Sequence, residues 1–157
     1  MSRKVELDLV VSYGIPRAGL PAAQSFRTWT EAALRGRVRR ADVALRLVGE
    51  YEGRSLNRHY RGKDAPTNVL SFPADLPEGV KLPLLGDIVI CAPVVQREAR
   101  LQGKDVRAHF AHLTVHGVLH LLGFDHDDPR EADLMENLER EILAGLGFDD
   151  PYTDEVG

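Results

Sequence analysis

One stretch limits what this chain can fold into more than any other: His116-Gly117-Val118-Leu119-His120-Leu121-Leu122-Gly123-Phe124-Asp125-His126. Side chains four residues apart lie on one face of a helix, one above the other, so His116 and His120 form a pair. His126 cannot join them on a continuing helix, because six further residues at roughly 1.5 Å each would carry it about 9 Å along the axis. The helix must therefore end in between. Gly123 is placed to end it, since glycine just past a helix takes up the left-handed conformation at little cost and turns the chain back. His126 can then face the pair.

Three neutral nitrogens with no fourth protein ligand in the motif describe a zinc site with an open position, the arrangement of catalytic rather than structural zinc. One Zn2+ per chain is expected. The H-x-x-x-H-x-x-G-x-x-H spacing also matches the metzincin protease signature, with one departure: those enzymes carry Glu directly after the first His, and this chain carries Gly117. That Glu is the peptidase's general base. Its absence argues against peptide hydrolysis by that mechanism.

The string VHGVLHLLGFDH (Val115 to His126) resembles the signature of the YbeY family of bacterial metal-dependent endoribonucleases. Further matches lie in LNRHYRGKDAPTNVLSFP (Leu56 to Pro73) and LLGDIVICAP (Leu84 to Pro93), in the family's order. Phe124 stands where the family usually has Tyr, which removes a hydroxyl and no ligand. The resemblance implies a single-strand-specific endoribonuclease that processes ribosomal RNA, at the 3′ end of 16S rRNA, and acts in ribosome maturation. It implies single-stranded RNA, the small ribosomal subunit and its proteins, and an Era-like GTPase as partners.

The resemblance also places Tyr60-Arg61 in the active-site pocket, which makes Arg61 the catalytic candidate. A guanidinium binds two phosphate oxygens at once and stays charged throughout the reaction. His112 is one turn before His116 on the same stripe and is a candidate for the wall of the substrate cleft, with His109 a turn earlier as a hydrogen-bonded helix residue. Asn68 and Ser71, on the strand that the family uses on the substrate side, are further substrate-binding candidates. Asp125 either accepts a hydrogen bond from a ligating imidazole, as an outer partner of the metal, or braces the turn. Met135 invites comparison with the metzincin Met-turn, yet it lies in a helical stripe and is assigned to the core.

Two other functions fit parts of the pattern. One is a peptidase relative that activates water without the Glu. The other is a non-catalytic ribosome-assembly factor whose metal is structural.

The rest of the chain is consistent with one domain, residues 1–157, of α+β class: a small mixed β-sheet of about four strands packed with about five helices around a metzincin-like zinc helix. Alternation of Val5, Leu7, Leu9 and Val11, then of Ala41, Val43, Leu45 and Leu47, marks two half-buried strands. Between them Pro21 opens a helix with Phe26, Trp29 and Ala33 inward. Glu50–Tyr60 reads as a short helix, Thr67–Phe72 as a strand, and the proline-rich 73–86 as a loop. Asp87–Cys91, nearly all apolar, reads as a strand buried on both faces. Pro93 starts a helix that ends near Gly103. The metal helix, about Val106 to Leu122, is apolar in nearly every direction but the histidine face and must be central. Asp128 caps a last helix with Met135, Leu138, Ile142 and Leu146 as its apolar stripe, and the acidic tail from Asp149 is expected to be disordered.

The net charge of −4 is at first sight wrong for binding a polyanion. Its distribution is uneven: residues 35–63 carry nine Lys/Arg against three acids, and residues 125–157 carry twelve acids against two Arg. A basic footprint on an acidic protein follows. No apolar run approaches the roughly 18 residues of a membrane span, and MSRKVELDLV breaks with charge too early for a signal peptide. The expected compartment is the cytoplasm. The single cysteine, Cys91, excludes an internal disulfide and reads as a buried small hydrophobe.

Overall fold

The computed structural model describes residues 4–125 and 127–152. In chain order its elements are β1 (Glu6–Tyr13), α1 (Ala23–Leu34), β2 (Arg40–Val48), α2 (Glu50–Arg61), β3 (Val69–Pro73), β4 (Leu84–Cys91), α3 (Ala92–Gln102), α4 (Val106–Leu121) and α5 (Pro129–Gly145). The sheet order is β1-β2-β4-β3, with β1, β2 and β4 parallel and β3 antiparallel on the edge. The class is α+β, and the sheet is mixed as expected.

Alternation decides which face of the sheet is covered. Ala41, Val43, Leu45 and Leu47 of β2 are buried with Ile88 and Ile90 of β4, while Asp42, Ala44 and Arg46 are only half-buried. On the covered face lie α1 and α4, which also pack on each other. Phe26 and Trp29 of α1 and Phe110 of α4 meet edge to face, Phe26 at 5.3 Å from Trp29 and 6.3 Å from Phe110. Burying each such ring stabilises the fold by about 1.5–3 kcal/mol. Because α4 also touches α3, α5, β3 and β4, no side of it can be polar except a narrow stripe.

Two expectations need correction. The strand expected from Asp87 begins at Leu84 and is not buried on both faces: Asp87 is exposed and Val89 half-buried. Its apolar run is explained at one end only, where α2 crosses the outer face and brings Gly53 against Cys91. In α5 the buried line is Met135, Glu139 and Leu143, whereas Leu138, Ile142 and Leu146 flank it half-buried. The helix is therefore turned slightly from the expected stripe, and a carboxylate sits in the middle of its inner face.

Candidate metal centre

α4 stops where the sequence requires. Leu122 is its last cap, Gly123 has φ of +101°, the Gly123 N–H donates to the His120 carbonyl at 3.0 Å and the Phe124 N–H to the Leu119 carbonyl at 3.1 Å. This pair of bonds is a Schellman motif. It satisfies the last carbonyls of a buried helix and turns the backbone away within two residues.

On the helix itself, the His116 and His120 rings meet with Nε2 to Nε2 at 3.0 Å. A tetrahedral zinc with bonds of about 2.0–2.1 Å spaces its ligand nitrogens about 3.3 Å apart. The two rings turn one nitrogen each toward the other at hydrogen-bond distance, close to that spacing, and imidazole nitrogens are donors that suit zinc. His126 lies outside the described residues, and among the described residues no group of three or more metal-ligating side chains gathers.

What fixes the His116 ring is a residue with no place in the motif. Glu139 of α5 is fully buried, and its Oε1 accepts from His116 Nδ1 and from His112 Nε2, each at 2.9 Å. Its Oε2 accepts from the Tyr152 hydroxyl at 2.7 Å. Burial alone would push the Glu139 carboxyl up, but the hydrogen bonds and charge of His112 and His116 outweigh it and hold its pKa at about 2. It is a carboxylate, and an acceptor only. Burial and the adjacent carboxylate push the Tyr152 hydroxyl well above the usual phenol range, so it stays a donor.

Tyr152 is reached through the residues just before it: Asp150 pairs with Arg140, the Lys104 ammonium donates to the Pro151 carbonyl at 2.7 Å, and Tyr152 closes on His112 and Glu139. Residues 153–157 lie outside the described residues.

Gly117, where a peptidase has its base, faces the sheet. A Cβ there would lie 3.2 Å from Ile88 Cγ2 and 3.2 Å from Ser71 Oγ, so a larger side chain would require those two neighbours on β4 and β3 to shift. Ser71, a substrate candidate, donates its hydroxyl to the Gly117 carbonyl at 3.1 Å. It ties the edge strand to α4. Asn68 donates to the Glu98 carboxylate at 3.1 Å, and Glu98 also accepts from His109 Nε2 at 2.9 Å. Asn68, Glu98, His109, His112, His116 and Tyr152 all line a cleft of about 300 Å3.

Arg61 is the last residue of α2, exposed, and its side chain has no ion pair or hydrogen bond among the described residues. Its neighbour Tyr60 packs on Phe72 with ring centroids 4.9 Å apart. Phe72 and Ser71 are consecutive in a strand and so point to opposite faces. Tyr60 therefore packs on the face of the edge strand opposite the one that touches α4, and Arg61 is the next residue in the chain. Asp125 Oδ1 accepts from the Asp127 N–H at 3.2 Å, a turn-bracing bond.

Sequence reasoning missed Glu139, Tyr152 and Glu98. Glu139 alone left a signal: it is four residues from both Met135 and Leu143, a charge on an inward line, and such a charge needs a buried partner.

Fold and centre together define an α+β protein with a histidine pair at the end of a buried helix, oriented by a buried carboxylate. A profile of the family described as Endoribonuclease YbeY matches residues 20–147. The Endoribonuclease YbeY of Xanthomonas oryzae pv. oryzae (strain MAFF 311018) is 70% identical over 155 residues, 96% of each chain. That of Stenotrophomonas maltophilia (strain K279a) is 69% identical over the same shares. The chain belongs to the YbeY family. The solution structure of TM1509 from Thermotoga maritima covers 92% of this chain and 99% of its own, with a TM-score of 0.58 at 24% identity. This is a likeness of fold alone.

Proposed function

We propose that this protein is a zinc-dependent, single-strand-specific endoribonuclease that acts in processing the 3′ end of 16S rRNA and in ribosome maturation. The observation that carries the reading is the His116–His120 nitrogen pair, with the other nitrogen of His116 already engaged by Glu139. Family membership supports RNA as the substrate, since the relatives above are named endoribonucleases. Among the described residues no helix is long and apolar enough to cross a membrane, in keeping with a cytoplasmic role beside the small ribosomal subunit, its proteins and an Era-like GTPase.

His116, His120 and His126 hold the zinc in this reading, and the ion supplies Lewis acidity and activation of water near neutral pH. Arg61 binds two non-bridging oxygens of the scissile phosphate and remains charged as negative charge builds on them. It has no carboxylate partner among the described residues, and its five N–H groups suit that role. Gly117 supplies no side chain in the place of the peptidase base, so metal-bound hydroxide, a backbone-held water or the RNA's own 2′-hydroxyl would take over that role. Asn68, Ser71 and His112 form the substrate-side wall, held by Glu98, the Gly117 carbonyl and Glu139. Asp125 holds the turn that leads to His126. The exposed face of α2 places Tyr51 and Arg58 ahead of Arg61, with Arg54 paired to Asp64 at 2.7 Å and Arg58 4.0 Å from the same carboxylate, an aromatic and cationic edge suited to unpaired nucleotides.

The test is to incubate the purified protein, and its His120→Ala and Arg61→Ala variants, with single-stranded RNA, duplex RNA and an unstructured peptide. The expected result is cleavage of single-stranded RNA by the wild type alone. Peptide cleavage without RNA cleavage contradicts the proposal, as does undiminished RNA cleavage by both folded variants.

A further inference from the structure

We infer that Glu139, with the Tyr152 hydroxyl behind it, is the positioning residue that sets His116 as a metal ligand; this rests on the zinc reading above. A neutral imidazole has one N–H and one lone pair, and the atom that accepts from the first decides where the second points. Glu139 Oε1 takes the hydrogen of His116 Nδ1. The lone pair of His116 is thereby placed on Nε2, the atom that faces His120 Nε2 at 3.0 Å.

The same oxygen takes the opposite nitrogen of the ring one turn earlier. His112 engages Glu139 through Nε2, and its Nδ1 is buried without a partner among the described residues. One carboxylate therefore sorts two neighbouring histidines, making His116 a ligand and His112 a support. Tyr152 holds the other oxygen and touches His112 Nε2 at 3.2 Å, so the carboxylate cannot rotate without losing bonds at both ends. The segment that brings Tyr152 there is anchored by Lys104 and Arg140. The chain after α5 thus belongs to the centre that begins in α4.

The experiment strips the full-length protein of metal and titrates it with Zn2+ against a chromophoric chelator. Absorption of the Co2+ form reports ligand geometry. Glu139→Leu, which keeps bulk and removes both acceptors, is expected to weaken zinc binding by about 10–100-fold and to alter the cobalt spectrum. Glu139→Gln, which keeps one acceptor oxygen, should recover part of the loss, and Tyr152→Phe should lose only a few-fold. Met135→Ala, one turn away on the same inner line, should stay within about twofold of wild type whatever it does to stability.

Wild-type affinity in Glu139→Leu overturns the inference, and so does an equal loss in Met135→Ala, because the effect is then one of packing. If Glu139→Leu does not fold, Glu139→Gln decides: affinity and cobalt spectrum equal to wild type overturn the inference. A wild-type chain that binds no zinc defeats the zinc reading itself, a result distinct from variants that bind as well as wild type.

Discussion

Of the three histidine–carboxylate pairs on one stripe of α4, each at 2.9 Å, the first and the last do different things. At the helix start His109 meets Glu98 through Nε2, leaving Nδ1 buried with no partner among the described residues. Near the helix end His116 meets Glu139 through Nδ1, leaving Nε2 directed at His120. Distance and residue type do not separate a structural histidine from a candidate ligand. The ring nitrogen that the carboxylate takes does, because it leaves the other either against the protein or toward a second ring.

The contrast can be broken in descending order of effect. Replacing His120 by Ala should weaken zinc binding by at least about 100-fold and abolish RNA cleavage, measured by chelator competition and by gel assay of a single-stranded substrate. Arg61→Ala should lower kcat by roughly 100–1,000-fold with zinc content unchanged. Arg61→Lys should recover little of that, since a point charge does not bind two oxygens as a fork does. A variant with zinc loss instead would move Arg61 from the substrate to the metal.

Gly117→Glu tests whether the missing peptidase base is absent by sterics. With Ile88 and Ser71 at 3.2 Å from the added Cβ, the expected result is a loss of about 1–3 kcal/mol in denaturant unfolding and no gain of peptidase activity. At the other pair, Glu98→Gln should cost about 1 kcal/mol of stability and leave zinc affinity as it was. Equal sensitivity of zinc binding to Glu98 and Glu139 would erase the distinction between the two pairs.

The smallest effect concerns pH. Burial holds the His109 pKa below its usual 6.5, with the Glu98 hydrogen bond opposing. The unfolded chain therefore takes up a proton at a higher pH than the folded one. The stability from neutral His109 is present above pH 6.5 and is lost as pH falls through the lowered folded value. Urea unfolding of metal-free protein should show this slope in the wild type and a shallower one in His109→Gln.

Much of this was legible in the residues because local chemistry enforces it. The stop at Gly123, the pairing of His116 with His120, the core role of Trp29 and Met135, and burial of Cys91 follow from spacing and from side chains with one stable place. Glu139 did not follow. Its partners His112, His116 and Tyr152 lie on another helix and in a segment that composition marks as an acidic tail, so only tertiary packing brings them together. The edge of β4 was misjudged for a related reason: an apolar run reports that residues can be buried on both faces, and here α2 covers just one end. Arg61 had meaning only through the family resemblance, and its exposed place at the end of α2 leaves it free of ion pairs among the described residues.

The most direct measurement is zinc per chain in wild type and His126→Ala, with cleavage of single-stranded RNA followed before and after chelation. The account predicts one zinc per wild-type chain, close to none in the variant, and cleavage that stops on chelation and returns with added zinc. Full zinc occupancy in folded His126→Ala, or RNA cleavage that continues in chelator, would contradict it.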